Sequence, residues 1–237
     1  MTAAIGWLAS WIGKALFLPE PAVILSDEKR KLFGQAFELM CDDSLGRVSD
    51  YDCPYPKWEY LRYLVQERGV VLHGSNRKDI EILEPLEQTD WSGKRTTAVF
   101  ASRDGIWPVF FAVVNTTGYR GSLRNGCWVV GKGSGERRFY FFSVNEKMMG
   151  DGLWTEGMLY ILPGKTFELA DRRAVRFDEW ASREAVRPIA KLPVEPSDFP
   201  FLGQVARHRE GESMLKSWLW YKRRVGERKE VRRRKVT

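Results

Sequence analysis

A short apolar run that ends in small polar residues constrains the fold of this chain more than any other segment. It reads Val70-Val71-Leu72-His73-Gly74-Ser75-Asn76, and its first three residues are typical of a buried strand. His73 is one of only two histidines in the chain, and it stands where the strand opens into a loop. Gly74 would let a ligand approach the main chain closely. The run therefore predicts a core strand with a candidate binding site at its carboxyl end.

The segment 1–69, which precedes this strand, is predicted to be helical. Apolar residues recur at helical spacing from residue 5 to residue 16, from 32 to 40 and from 58 to 65, and Gly69 ends the last of these runs. The first helix lacks the basic start of a signal peptide and is too short to span a bilayer. We expect it to dock on the core or on a partner, with a position on a membrane surface as the alternative.

From residue 70 to residue 203 the pattern is mainly that of strands. Residues 127–130 and 138–144 flank a glycine-rich stretch that lacks the spacing of a phosphate loop, so we expect a hairpin there. The apolar stretch 107–114 is compatible with a strand or a helix. The proline-rich stretch 188–200 is predicted to be irregular and extended. Further strand candidates are 96–101, 153–162 and one or two within 167–177.

These patterns predict an α+β fold. A helical N-terminal region (1–69) precedes a split, mainly antiparallel β core (70–203), and a C-terminal helix with a basic tail (204–237) follows. The tail, residues 222–237, holds nine basic and two acidic residues and accounts for the whole net charge of +7, which leaves the body neutral. We expect it to contact nucleic acid or another acidic partner, or to be a solvated helix end. His208, which stands between two arginines, is predicted to be exposed.

The chain carries three widely spaced cysteines and no CxxC pair. An odd number at such spacing does not fit a disulfide framework or a zinc site, and no other cluster has the spacing of metal ligands. We therefore expect no metal, buried free thiols, and a cytoplasmic location where thiols stay reduced.

Several stretches downstream of the His-Gly-Ser element follow in a recognisable order: Ile82-Leu83-Glu84-Pro85, Ala98-Val99-Phe100-Ala101-Ser102, Phe110-Phe111-Ala112 and Thr155-Glu156-Gly157-Met158-Leu159-Tyr160. With Leu72-His73-Gly74-Ser75 they form a pattern over residues 70–162 that resembles the ADP-ribosyltransferase superfamily, on its poly(ADP-ribose) polymerase and diphtheria-toxin-like side. Members show a strand ending in His-Gly-Ser/Thr, a later Tyr-Phe-Ala-like strand followed by a second aromatic, and a glutamate on a late strand. The resemblance implies a β core of that type.

The resemblance also implies a role for each residue of the His-Gly-Ser element. His73 would hydrogen-bond a ribose hydroxyl of NAD. The main chain of Gly74 would bind the nicotinamide carboxamide, and Ser75 would contact the adjacent ribose. A neutral imidazole can orient a hydroxyl without adding charge.

The remaining matched residues would act on the ring and on the reacting sugar. An aromatic side chain from Phe100, Phe110 or Phe111 would stack on the nicotinamide. Glu156 would hold the ribose 2′-hydroxyl and stabilise the positive charge that builds on the sugar as the glycosidic bond breaks. Val99 stands where the family usually has a tyrosine.

The resemblance implies an NAD-dependent mono-ADP-ribosyltransferase that modifies a protein or a nucleic acid and releases nicotinamide. Two alternatives stay open. A catalytically inactive ADP-ribose-binding or partner-binding module of the same fold is favoured by the non-tyrosine at Val99. A nucleic-acid-binding protein would use the basic tail at 222–237 as its functional element. A 2′-phosphotransferase would need several basic residues around a phosphate, and the sequence does not place them.

Overall fold

A computed structural model of the chain describes residues 3–42, 48, 51–89, 95–117, 121–148, 152–171 and 173–236, with the side chains of 3–5, 42, 89, 134 and 227–236 outside that description. Within it the helices are α1 (Ala3–Leu16), α2 (Asp27–Asp42), α3 (Lys57–Glu67), α4 (Trp107–Val113) and α5 (Met214–Val236). The strands are β1 (Leu18–Pro19), β2 (Val70–Ser75), β3 (Leu86–Thr89), β4 (Arg95–Ala101), β5 (Leu123–Val130), β6 (Arg137–Asn145), β7 (Gly157–Pro163), β8 (Glu168–Leu169), β9 (Val175–Phe177), β10 (Trp180–Ser182), β11 (Ala190–Val194) and β12 (Ala206–His208).

The described strands form three sheets, which confirms the α+β class. One sheet has the order β1-β6-β5-β9, with β12 beside β6; the second has the order β3-β4-β10-β8, and the third β11-β7-β2. The pairs are antiparallel except β12 with β6. The second and third sheets meet where Leu72 and Ser102 exchange two main-chain hydrogen bonds of 2.9 Å.

The predicted core strand is β2, and it is buried on both faces. Leu72 faces the main core, which also takes Phe33 from α2 and Tyr221 from α5. Val71 faces a smaller cluster with Tyr160 and other residues that lie between the second and third sheets. Because the main core draws on segments before and after the strands, the three segments predicted from the sequence share one hydrophobic interior.

The ambiguous stretch 107–114 forms a helix, α4, because a buried carboxylate caps its first turn. Asp104 Oδ1 accepts hydrogen bonds from the main-chain N–H groups of Ile106 (2.9 Å) and Trp107 (2.6 Å). Asp104 Oδ2 accepts one from the Tyr140 hydroxyl at 2.6 Å. These bonds satisfy donors that a helix start leaves unpaired, and Pro108 suits the first turn because it needs no donor there.

The prediction of an irregular segment over 188–200 is wrong in part, because β11 lies within it and pairs with β7 over five residues. Pro193 lacks an N–H group, but β11 is at the edge of its sheet, where a proline is tolerated.

Helix α4 lies directly against β2 and β7 at two glycines. A Cβ atom at Gly74 would stand 1.9 Å from the Pro108 carbonyl oxygen, and one at Gly157 would stand 1.9 Å from the Ala112 carbonyl oxygen. Both distances are far below van der Waals contact, so no side chain fits at either position. Asn76 fastens the other end of the helix: its amide nitrogen donates to the carbonyl oxygens of Ala112 (2.8 Å) and Val114 (3.0 Å).

Replacing Gly157 with alanine should therefore destabilise the fold. The added methyl group would push α4 off the sheet, and overpacking of this kind costs about 1–3 kcal/mol or more. Gly226→Ala is the matched control, because nothing lies within 4 Å of a Cβ there and alanine favours the α5 helix. Urea unfolding of the two variants would measure the difference, and equal stabilities would contradict the close packing of α4.

His208 is buried, so the prediction that it is exposed is wrong. The alternation of strand β12 turns Arg207 outward and His208 inward. Its Nδ1 lies 2.8 Å from Ser143 Oγ and its Nε2 lies 2.7 Å from Ser122 Oγ. Burial, aided by the positive charge of Arg124, lowers the pKa of His208 to about 4.

The burial of His208 predicts a loss of stability in acid. The unfolded chain takes up a proton below pH about 6.5, whereas the folded chain does so only near pH 4, so stability present above pH 6.5 is lost as the pH falls through this window. At pH 5 the loss would be about 2 kcal/mol. Urea unfolding at pH 7 and pH 5 should show a smaller pH effect for His208→Gln. An unchanged pH effect would mean that another group is responsible.

Candidate functional site

A cavity of about 260 Å³ lies at the carboxyl end of β2, where the third sheet meets the second. We call it the small cavity. The end of β4 and the first turn of α4 enclose it. Its lining includes His73, Gly74, Phe100, Ser102, Trp107, Phe111 and Glu179. It therefore brings together residues that are more than one hundred positions apart in the sequence.

His73 presents a hydrogen-bond acceptor at this cavity. Its Nδ1 lies 2.8 Å from the main-chain oxygen of Phe100. A carbonyl oxygen only accepts, so Nδ1 carries the proton and donates, and Nε2 keeps its lone pair. Burial lowers the pKa of His73 below its ordinary value, so the ring is neutral at pH 7. A neutral ring with a free Nε2 lone pair is suited to a ligand hydroxyl.

The Gly74 main chain supplies a donor and an acceptor beside that histidine. Leu72 directs its N–H and C=O towards Ser102, and residues two apart in a strand direct these groups to the same side. Those of Gly74 therefore point away from β7, towards the side of β4, where the antiparallel register of the Leu72–Ser102 bridge sets Gly74 opposite Phe100. Within the described residues this pair has no main-chain partner at that edge. Since α4 occupies the space that a side chain would take, packing explains the glycine itself.

The aromatic candidates divide between the cavity and the core. Phe100 and Phe111 line the small cavity, and Phe111 is the more exposed of the two. Phe110 has no exposed surface and packs in the core, with its ring centroid 4.8 Å from that of Phe142. Trp107, which we did not single out from the sequence, lines the cavity as well, and its Nε1 donates to Asn125 Oδ1 at 2.6 Å.

The structure does not bring Glu156 to His73. His73 is paired with Tyr160 across β2 and β7, so Glu156 lies four residues further along, about 13 Å away at 3.3 Å per residue. The Glu156 side chain is 70% exposed and forms an ion pair of 2.9 Å with Lys78. Ser75 is also outside the lining of the small cavity, and its Oγ accepts a hydrogen bond from the main-chain N–H of Arg77 at 3.1 Å.

Glu179 is the acidic residue among those that line the small cavity. Its main-chain oxygen accepts a hydrogen bond from Ala170 at 2.9 Å. The preceding residue, Asp178, accepts one from Ser102 Oγ at 2.8 Å, which ties the start of β10 to the junction with Leu72. In the sequence, Glu179 is one of two acidic residues before a three-residue strand, and no motif marks it.

A larger cavity of about 1360 Å³ adjoins the small one, and Trp107, Phe111 and Glu179 line both. We call it the large cavity. One face of β5, β6 and β9 forms its floor, and Phe17, which follows α1, and α5 contribute at its side. Its aromatic lining includes Phe17, Trp128, Phe139, Phe141 and Trp218, and its basic lining comprises Arg124, Lys132, Arg173 and Arg176. The combined cleft thus has a small polar end and a wide aromatic and basic end.

The basic residues of the large cavity differ in how their charge is balanced. Arg173 is paired with Asp171 at 2.8 Å and Arg176 with Glu136 at 2.5 Å. Arg124 donates instead to the Ser217 hydroxyl at 2.5 Å and to main-chain oxygens, which carry no full charge. Its positive charge is thus available to an anionic ligand.

The first residues of the basic tail contact the body of the protein. Lys222 donates to the main-chain oxygen of Lys14, and the Arg223 guanidinium lies 4.8 Å from the Trp220 ring centroid. Arg224 forms hydrogen bonds of 2.7 and 2.8 Å with the two carboxylate oxygens of Glu212. From residue 227 onward the side chains of the tail lie outside the described part.

The described residues contain no group of three histidine, cysteine or acidic side chains placed to hold a metal ion. None of the helices described is both long enough and apolar enough to cross a bilayer. No disulfide joins the three cysteines, and only Cys127 of the predicted buried thiols is buried, whereas Cys53 is half-buried and Cys41 is exposed.

Comparison with known proteins finds no match to any family model, curated protein or solved structure.

Proposed function

We propose that this chain is an NAD-dependent mono-ADP-ribosyltransferase that binds the nicotinamide end of NAD in the small cavity. One observation carries the proposal: His73, Gly74 and Glu179, which come from three different segments of the chain, all line that cavity. The resemblance of the His-Gly-Ser element to the ADP-ribosyltransferase superfamily assigns its first two residues to NAD, and the cavity supplies a carboxylate to act with them.

The polar groups of the small cavity match the groups of nicotinamide riboside. A carboxamide has one acceptor oxygen and a donor nitrogen, which the N–H and C=O of Gly74 can pair together. The rings of Phe111 and Trp107 offer apolar faces for the pyridine ring. Nε2 of His73 would accept from a ribose hydroxyl. Ligand sites of drug size measure about 300–1000 Å³, so the small cavity fits only part of NAD, and the ADP half would extend towards the large cavity.

Glu179 replaces Glu156 in this proposal as the group that stabilises the reacting sugar. When the bond between ribose C1′ and the nicotinamide nitrogen breaks, its electron pair leaves with the nicotinamide, which becomes neutral. The sugar gains positive charge, and a fixed carboxylate stabilises that charge more in the transition state than in the ground state. The acceptor nucleophile then bonds to C1′ and loses its proton.

Two matched substitutions test which glutamate acts. Glu179→Gln keeps the size of the side chain but removes its charge, so we expect nicotinamide release from NAD to slow by about 10²–10³-fold, the usual cost of a lost transition-state contact. Glu156→Gln should leave the rate within about twofold, because its exposed ion pair adds little. Chromatography of released nicotinamide, with water or a cell extract as the acceptor, measures both rates.

Three outcomes would contradict the assignment. Loss of activity in Glu156→Gln with retention in Glu179→Gln would return the catalytic role to Glu156. Equal activity of both variants and the wild type would exclude a catalytic role for Glu156 and for Glu179. A wild-type protein that neither releases nicotinamide nor binds NAD by calorimetry would refute the proposed function as a whole.

The pairing of a carboxamide with Gly74 also predicts selectivity among small ligands. Nicotinamide should bind at least about tenfold more tightly than nicotinate, because nicotinate has no N–H to donate to the Gly74 carbonyl and brings a charge into a half-buried site. Ligand-observed NMR titration would measure the affinities of nicotinamide and of nicotinate for the wild type, with Glu156→Gln as the control protein. Equal affinities would show that the Gly74 main chain does not read the carboxamide.

An ADP-ribose-binding module without turnover is the second candidate, and the exposed position of Glu156 favours it. The departure at Val99 carries less weight, because Val99 is buried in the smaller core cluster and does not line the small cavity. Calorimetric binding of ADP-ribose by a wild type that releases no nicotinamide would identify this function.

A further inference from the structure

We infer that α1 and the basic C-terminal part of α5 together dock the protein on an anionic lipid bilayer. This inference does not depend on the proposed function. It stands on an exposed apolar helix face, on the helix that lies beside it, and on the distribution of charge along the chain.

The first observation is the solvent-facing side of α1. Trp7 is 70% exposed and Trp11 is 60% exposed, and Leu8 stands beside them. The opposite side of the helix is the one that packs, with Ala9 buried and Gly13 so close to the ring of Phe139 that a side chain there would collide with it. Lys14 is the only charged residue of the helix. The body thus holds α1 with its tryptophans turned to solvent.

The second observation is that α5 adjoins α1 and extends this surface. The Lys222 side chain donates to the main-chain oxygen of Lys14, and the rings of Phe17 and Trp218 lie 5.8 Å apart. Helix α5 buries Ser217, Tyr221 and Val225 against the body. Its exposed side carries large apolar residues of its own, Leu215, Leu219 and Trp220.

The third observation is the position of the charge. The basic tail, 222–237, begins where α5 meets the end of α1, and its nine basic and two acidic residues together account for the whole net charge of +7. The charge is therefore polarised along the chain: the body is neutral, and the strongly basic segment begins at Lys222, beside the end of α1. Tryptophan and leucine enter the boundary between headgroups and acyl chains, while lysine and arginine are attracted to anionic headgroups.

Other occupants match this surface less well. A second copy of the chain would bring two tails of equal positive charge together. A nucleic acid would offer phosphates to the tail but no apolar layer to cover Leu8, Leu215 and Leu219. An anionic bilayer supplies both kinds of contact at one surface.

The test is co-sedimentation of the full chain with vesicles. We expect binding to phosphatidylcholine vesicles that contain phosphatidylserine, weaker binding as salt is raised, and little binding to phosphatidylcholine alone. The double variant Trp7→Ser, Trp11→Ser should bind the anionic vesicles at least about tenfold more weakly. The triple variant Arg232→Gln, Arg233→Gln, Arg234→Gln should bind the anionic vesicles about a hundredfold more weakly. Each basic residue at an anionic surface raises the affinity about fivefold.

Leu39→Ser is the matched control, because Leu39 is an apolar residue on α2 that is as exposed as Trp7. This variant should bind the anionic vesicles as tightly as the wild type does. Thermal unfolding midpoints close to that of the wild type would show that the variants fold. Failure of the wild type to bind anionic vesicles would overturn the inference, as would full binding by the tryptophan variant. Tail-dependent binding to single-stranded DNA without binding to vesicles would overturn it in favour of a nucleic acid.

Discussion

The close contact between α4 and the two glycines of the third sheet is the constraint on which the candidate site depends. Gly74 and Gly157 let the main chain of the helix touch β2 and β7 with no side chain between them. The Asp104 cap starts the helix beside the end of β4, and Asn76 holds its far end. Trp107 and Phe111 thereby face the same cavity as His73. A helix one side-chain layer further out would leave the cavity open and the aromatic rings too far from the histidine.

The electrostatics of the site follow from which groups are paired and which are not. His73 is neutral and uses one ring nitrogen for the fold, so the other nitrogen is left for a ligand. Asp178 accepts a hydrogen bond from Ser102, and Glu179 is the acidic residue among those that line the small cavity. At the wide end of the cleft, Arg124 is bound by uncharged oxygens. In the proposed function, Glu179 at the small cavity would face the sugar cation, and the basic residues of the large cavity would face the phosphates.

The sequence predicts the parts of this fold that local patterns determine. The alternation and length of apolar runs indicate β2 and the β5–β6 hairpin, and both are confirmed. The stretch that became α4 was ambiguous because it is apolar throughout, and only the tertiary contacts of Asp104 and Gly74 decide for a helix. Glu179 could not be found in this way, because it precedes β10, a strand of only three residues that exists through pairing with β4. Acidic residues before such strands have no pattern of their own.

The junction between the second and third sheets carries a mechanical consequence. Leu72 and Ser102 join the sheets through two main-chain hydrogen bonds, and His73 and Glu179 lie on opposite sides of that seam. The hydrogen bond between His73 and Phe100 and the smaller core cluster also hold the two sheets together at this seam. A ligand that contacts both His73 and Glu179 would bridge the two sheets across this seam. A ligand that binds only the closed arrangement would thereby stabilise it, by an amount that rises with the ligand concentration relative to its dissociation constant.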